Sequence, residues 1–169
     1  MLSKKLEDAL NAQINAELWS SYLYLAMSAH FAADGKSGFE NWFRIQALEE
    51  KDHAMKLFDY IITRGGKVDL QPIKGVTKTW KSPLAAFEAT LKHEQAVTIM
   101  INKLVALAKE ENDYATESML KWFVDEQVEE EATATSYIDA LKMINDNGFG
   151  IYTMDREFLT RSYTPVSAE

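Results

Sequence analysis

A glutamate and a histidine three residues apart interrupt an apolar helical pattern near the middle of the chain. Steps of three and four residues connect Phe43, Gln46, Glu50, His53 and Leu57. Glu50 and His53 therefore share the helix stripe that faces a core. Burying both without partners is costly, and a metal ion would bind an oxygen of one and a nitrogen of the other. An isolated Glu-x-x-His is also typical of a core histidine paired with a carboxylate, so the other helices are needed to distinguish a metal site from such a pair.

Polar residues interrupt the apolar stripes of three further helical segments in the same way. Together with Glu50 and His53, four of them form two triplets, and the separations within each triplet are 33 and 3 positions. Chance is a poor explanation for this register, and burial of several carboxylates without a cation would be costly. The pattern predicts a dinuclear metal site between two facing helix pairs. The first triplet is Glu17, Glu50 and His53, and the second is Glu94, Gln127 and Glu130.

The ligand types indicate which metals would bind. Carboxylate oxygens with one imidazole suit Fe²⁺ or Mn²⁺, with Zn²⁺ as a competitor, and the absence of Cys excludes thiolate sites. Glu50 is the candidate to be shared between two ions, with Glu17 and His53 completing one ion and Glu94 the other. Two adjacent Fe²⁺ ions can deliver two electrons to one O₂ or H₂O₂ molecule.

The elements that must position these residues are four long helices, which predict an all-α fold with a bundle over about residues 3–147. Residues 65–82 hold Gly65, Gly66, Pro72 and Gly75 and look irregular. A helix of roughly 28 residues is about 42 Å long, and 18 extended residues span up to ~60 Å. The loop can therefore cross the whole bundle, which makes helices two and three parallel.

Helix ends are indicated by capping residues and glycines. We expect a capping box at Ser37 and Glu40 to open helix two. Gly148 and Gly150 are expected to end helix four, followed by a short fifth helix over 153–162 and a frayed tail over 163–169. The whole chain, 1–169, is interpreted as one domain. Further starts are expected at Ser3, Ser82-Pro83 and Asn112-Asp113.

Composition restricts the partners. The net charge of -8 argues against nucleic acid and anionic membranes and favours cations. No apolar run approaches a membrane span of ~20 residues, and the N-terminus does not resemble a signal peptide. We therefore expect a cytoplasmic protein.

Three segments resemble bacterial non-haem ferritins: NAELWSSYLY at 15–24, EEKDHA at 49–54 and WFVDEQVEEE at 122–131. The resemblance covers essentially the whole chain. It implies a ferritin-like four-helix bundle with an intrasubunit di-iron ferroxidase centre that oxidises Fe²⁺ with O₂ or H₂O₂. It further implies iron storage and detoxification, with Fe³⁺ held as a mineral in a hollow homo-oligomer of twenty-four subunits whose fifth helices meet at the fourfold axes.

The resemblance also implies roles for individual residues. Gln127 and Glu130 stand where the general di-iron motif has Glu and His, a departure that is usual in ferritins. Haem-binding bacterioferritins carry Met at the position of Asp52, so we predict no haem. Tyr24 is expected beside the di-iron centre, either as an electron donor or as a core tyrosine. A third iron site is expected at Glu49, Glu126, Glu129 and Glu130, although these could equally form a solvated acidic face.

Three alternatives remain open from the sequence. A di-iron peroxidase or oxygenase would use the same centre without storing iron. A small-shell DNA-protecting relative would build its sites between subunits and often carry a basic tail. A metal-free helical interaction protein would need the carboxylates to be structural, which their register argues against.

Overall fold

The computed structural model describes residues 2–165 and confirms the predicted all-α fold. Within this range the chain forms five helices and no strand. None of the helices in the described residues is long and apolar enough to cross a membrane. The helices are α1 (Lys4–Ala33), α2 (Ser37–Thr63), α3 (Pro83–Glu110), α4 (Tyr114–Ile144) and α5 (Gly148–Phe158).

Two apolar clusters fill opposite ends of the bundle. One is rich in aromatic residues and includes Phe31, Phe43 and Phe87, while the other is mainly aliphatic and includes Leu10 and Ile101. The aromatic cluster takes residues from the early parts of α2 and α3, and the aliphatic cluster takes residues from their later parts. Helices α2 and α3 are therefore parallel, as predicted. The helix segments between the clusters carry the two triplets.

The crossover between α2 and α3 follows the length of the bundle. Near its start, the Asn11 side chain donates to the Lys67 carbonyl at 2.9 Å and accepts from the Asp69 amide at 2.7 Å. Val68 packs against the aliphatic cluster, whereas Trp80 packs against the aromatic one. These contacts anchor the long irregular segment. Backbone groups near its start bond to the Asn11 side chain, and its apolar side chains pack against the two clusters.

Three helix starts follow the predicted caps. The side chains of Ser3, Ser82 and Asp113 accept hydrogen bonds from amides in the first turns of α1, α3 and α4. The predicted capping box at Ser37 is wrong. The α2 N-terminus is instead capped by Asp155, whose Oδ1 accepts from the amides of Gly38 and Phe39 at 2.8 and 3.0 Å.

The predicted bounds of the fifth helix are also wrong. Helix α4 ends at Ile144, and its C-cap residue Asn145 adopts the left-handed conformation. Asn147 caps α5, so Gly148 opens this helix and does not end α4. Helix α5 lies so close to α2 that a Cβ at Gly38 would be 1.6 Å from the Asp155 carbonyl oxygen. Of the predicted frayed tail, Tyr163 donates to Asp52 Oδ2 at 2.6 Å, and 166–169 lie outside the described residues.

Asp113 both caps α4 and pairs with Arg64 at the end of α2 through two hydrogen bonds of 2.8 and 3.0 Å. We expect Asp113→Ala to lower the free energy of unfolding by about 1–2 kcal/mol, because a cap and a bidentate ionic contact are lost together. Urea unfolding at matched protein concentration measures this. The control is Asp125→Ala, which breaks an exposed pair with Lys121 and should cost less than about 0.5 kcal/mol; equal losses would contradict the prediction.

Candidate metal centre

The first triplet forms a buried cluster between the two apolar ends of the bundle. One ligand atom each from Glu17, Glu50 and His53 lies within 4.8 Å of the others. Glu50 Oε2 is 3.5 Å from His53 Nδ1. Helix α1 supplies Glu17, and α2 supplies the other two residues from adjacent turns of one face. The structure therefore brings the three residues of the first triplet together.

Two atoms of this cluster lack a hydrogen-bond partner within residues 2–165. Glu17 Oε2 and His53 Nε2 are both buried and unpaired. Buried polar groups without partners are rare because each keeps its desolvation cost. A divalent cation would satisfy a carboxylate oxygen and an imidazole nitrogen at once. The residues present therefore fit a metal ion of the kind that the ligand types predict.

The second triplet lies across the bundle from the first. Gln127 Nε2 donates to the Glu94 carboxylate Oε2 at 3.2 Å and to the Glu94 carbonyl at 3.1 Å. The Tyr24 hydroxyl, which is fully buried, donates to Glu94 Oε1. Gln127 is thus close enough to hold the Glu94 carboxylate in place. Tyr24 lies beside the centre, where the resemblance predicts it.

A glutamine to which the sequence pattern assigned no role joins the two triplets. Gln46 Nε2 donates to Glu50 Oε1 at 3.2 Å and to Glu130 Oε1 at 2.8 Å. Gln13 makes the equivalent contact to Glu17 at 2.8 Å. Each glutamine precedes its glutamate by four residues on the same stripe. This spacing could have identified the two glutamines from the sequence, because residues four apart are neighbours on a helix.

The pKa values show how closely the carboxylates are packed. Burial first, and then the Glu50 charge, raises the pKa of Glu17 to about 8. Burial, followed by Glu94, raises the pKa of Glu130 to about 8. Burial also raises the pKa of Glu94 to about 7, and burial together with Glu94 and Glu130 raises that of Glu50 well above its ordinary value. The carboxylates of the two triplets therefore repel one another, and a bound cation would reduce this repulsion.

The four residues expected at a third iron site are only partly brought together. Glu130 is buried, Glu49 and Glu126 are partly buried, and Glu129 is exposed. Glu126 Oε1 is 4.0 Å from His53 Nε2. Glu49 instead accepts from Arg161 at 2.5 Å. Within residues 2–165, the triad of Glu17, Glu50 and His53 is the only group of three acidic or histidine residues with metal-binding geometry.

Two aromatic neighbours flank the centre. His93, to which the sequence gave no role, is partly buried beside Trp19, and its Nε2 is 2.7 Å from the Ser20 hydroxyl. Burial lowers the pKa of His93 to about 4. Trp122 meets the His53 ring edge-on with centroids 5.3 Å apart. Both contacts fix the surroundings of the triplets and add no metal ligand within the described residues.

A four-helix bundle with two in-register acidic triplets at its midpoint defines a ferritin-like metal-site protein. A family profile described as a ferritin-like domain matches residues 7–144. The chain belongs to the ferritin family.

Relatives and solved structures agree with this assignment. The chain is 47% identical to a bacterial non-heme ferritin of Bacteroides fragilis over 148 residues, which are 88% of this chain and 93% of that one. It is 41% identical to a bacterial non-heme ferritin of Staphylococcus epidermidis, over 96% and 98% of the two chains. An engineered closed form of the Archaeoglobus fulgidus ferritin superposes with a TM-score of 0.96 at 45% identity, covering 97% of this chain and all of that chain.

Proposed function

We propose that this protein oxidises Fe²⁺ at the centre formed by the two triplets and stores the Fe³⁺ as a mineral inside a shell of identical subunits. The observation that carries the proposal is the buried cluster of Glu17, Glu50 and His53 with two unpaired ligand atoms. The ferritin names of its relatives support iron as the substrate. The shell of twenty-four subunits and the cytoplasmic location rest on the same resemblance.

Each residue of the centre has a role in this reaction. Glu17 and His53 bind one Fe²⁺, Glu94 binds a second, and Glu50 lies between them. Two Fe²⁺ ions lose one electron each, and O₂ takes up both electrons with two protons to form H₂O₂; with H₂O₂ as oxidant, the products are two water molecules. Gln46 donates to Glu50 and Glu130, and Gln127 donates to Glu94, so the two glutamines hold these carboxylates in place.

Tyr24 is proposed to tune this centre. Its hydroxyl donates to Glu94, and burial, followed by the charge of Glu94, raises its pKa well above the ordinary value. The phenol therefore stays protonated and keeps Glu94 oriented. The third site, at Glu49, Glu126, Glu129 and Glu130, stays a proposal. So does the absence of haem, which rests on Asp52.

Iron loading combined with particle size tests the function directly. Fe²⁺ is added aerobically in large excess over subunits, oxidation is followed by absorbance, and the product is separated by size exclusion and analysed for iron. We expect a particle of about twenty-four subunits that retains far more iron than its ligand residues could bind. A small oligomer that retains about two irons per chain would contradict storage and favour the alternative, a di-iron peroxidase or oxygenase.

A further inference from the structure

The residues that follow α5 return to the metal centre along the outer side of α2. Asn41 Nδ2 donates to the carbonyls of Phe158 and Arg161, both at 3.0 Å. Two residues further on, the Tyr163 hydroxyl donates to Asp52 Oδ2 at 2.6 Å. These anchors hold the segment 159–163, here called the C-terminal strap, against α2 on both sides of Arg161.

The Arg161 guanidinium reaches from the C-terminal strap to the edge of the centre. Its Nη1 donates to the Trp42 carbonyl at 3.0 Å, and its plane lies over the Trp42 ring with 4.5 Å from Cζ to the ring centroid. Its Nη2 donates to Gln46 Oε1 at 3.0 Å and to Glu49 Oε2 at 2.5 Å. Because Gln46 Oε1 is occupied in this way, the Gln46 amide nitrogen faces Glu50 and Glu130.

Glu49 is the residue on which Arg161 and a metal ion would compete. Glu49 lies in the same electrostatic environment as His53 and Glu126, since both affect its pKa. Glu126 Oε1 lies 4.0 Å from His53 Nε2, the buried nitrogen that is assigned above to the ion of the first triplet. Glu49 and Glu126 could therefore take a further cation beside that ion without using the histidine. An oxygen lone pair of Glu49 that accepts from the guanidinium is not available to that cation.

We propose that Arg161 is a built-in competitor for the third cation position, so that a divalent ion binds Glu49 only by displacing the guanidinium and loosening the C-terminal strap. The inference rests on the proposed function, because it needs the triplets to bind cations first. It gives a role to the residues after α5, which belong neither to the helix pattern nor to the predicted metal ligands. Arg161 binds no iron itself and acts through Glu49 and Gln46 as a positioning residue.

Calorimetric titration with Zn²⁺, which undergoes no redox change, tests the competition on the assembled protein. In Arg161→Gln, the third equivalent per chain should bind at least about tenfold more tightly than in the wild type, because an ionic hydrogen bond no longer has to be broken. Arg161→Lys should lie between the two. Arg156→Gln, an exposed arginine of α5, is the matched control and should bind like the wild type.

The double variant Glu49→Gln with Arg161→Gln should lose the gain. An unchanged or weakened third equivalent in Arg161→Gln would overturn the proposal. Failure of every variant, including the wild type, to bind the first two equivalents would overturn the proposed function instead.

Hydrogen exchange on the wild-type chain gives a second readout in case the arginine variant does not fold. The amides of the C-terminal strap should exchange faster once the third equivalent of Zn²⁺ is bound, and the first two equivalents should leave them unchanged. Strap amides that stay equally protected at saturation would contradict the displacement of Arg161.

Discussion

Glu50→Gln is expected to slow Fe²⁺ oxidation by at least about a hundredfold while leaving the bundle folded. Glu50 is the carboxylate that touches both triplets, directly at His53 and through Gln46 at Glu130. Loss of a residue that only supports a metal ligand already costs ~10–100-fold, and here a proposed ligand itself is replaced. Stopped-flow absorbance at low Fe²⁺ per subunit measures the rate.

The same variant should be more stable than the wild type when no metal is bound. Burial, Glu94 and Glu130 raise the pKa of Glu50 well above its ordinary value of 4.5, so the folded chain holds the Glu50 proton to a higher pH than the unfolded chain does. Glutamine needs no such proton. We expect the free energy of unfolding to rise at pH 7 and to change little near pH 4.5.

A matched control separates these effects from a general loss of acidity. Asp59→Asn removes a carboxylate from an exposed position on the same helix and should alter neither the oxidation rate nor the stability. A Glu50→Gln protein that oxidises iron at the wild-type rate would show that the chemistry takes place elsewhere. One that is less stable than the wild type at pH 7 would show that the carboxylate is a structural group.

The metal-free protein is expected to become less stable as the pH rises from about 6.5 to 8. In the folded chain the pKa values of Glu17 and Glu130 are raised to about 8 by burial and by neighbouring carboxylates. The unfolded chain releases these protons near pH 4.5, so the folded state binds more protons throughout this interval. The free energy of unfolding must then fall with pH, by roughly 3 kcal/mol in total over the interval. Because the two groups interact, this change belongs to the pair and not to either carboxylate alone.

His93 changes the stability in the opposite direction, but only below this pH interval. Burial lowers the pKa of His93 from 6.5 to about 4, so its contribution to stability rises with pH between those two values and is constant above them. Asp113, whose pKa is lowered by Arg64, makes a constant contribution in this interval, because that contribution is lost only as the pH falls below the ordinary value of 3.8. Above pH 6.5 the acidic triplets therefore determine the slope.

Urea unfolding at several pH values, with metal removed by a chelator, measures this slope. Saturating Zn²⁺ should abolish it, because a bound cation expels the protons and stabilises the folded state by mass action. Glu17→Gln should flatten the slope, and Asp59→Asn should leave it unchanged. Stability that is level or rising over this interval in the metal-free wild type would mean that the carboxylates stay ionised in the folded chain.

Local patterns in the sequence were sufficient for the four long helices and for the positions of the triplets on them. The periodicity that marks an apolar stripe also marks each polar residue that interrupts it, and this placed Glu17, Glu50, His53 and Glu94 on inward faces. The caps at Ser3, Ser82 and Asp113 were equally readable. All of these signals act within four residues along the chain, so no tertiary information was needed.

Only the tertiary structure decided which partners come from distant parts of the chain. Asp155 replaces the expected cap of α2, and Arg161 meets Gln46 and Glu49, across more than a hundred residues of sequence. The packing of α5 against α2 depends on the same region, since the close approach of Asp155 to Gly38 leaves no room for a Cβ. Such pairs have no period or spacing in the sequence, because it is the packing of the elements, and not the order of residues, that brings them together.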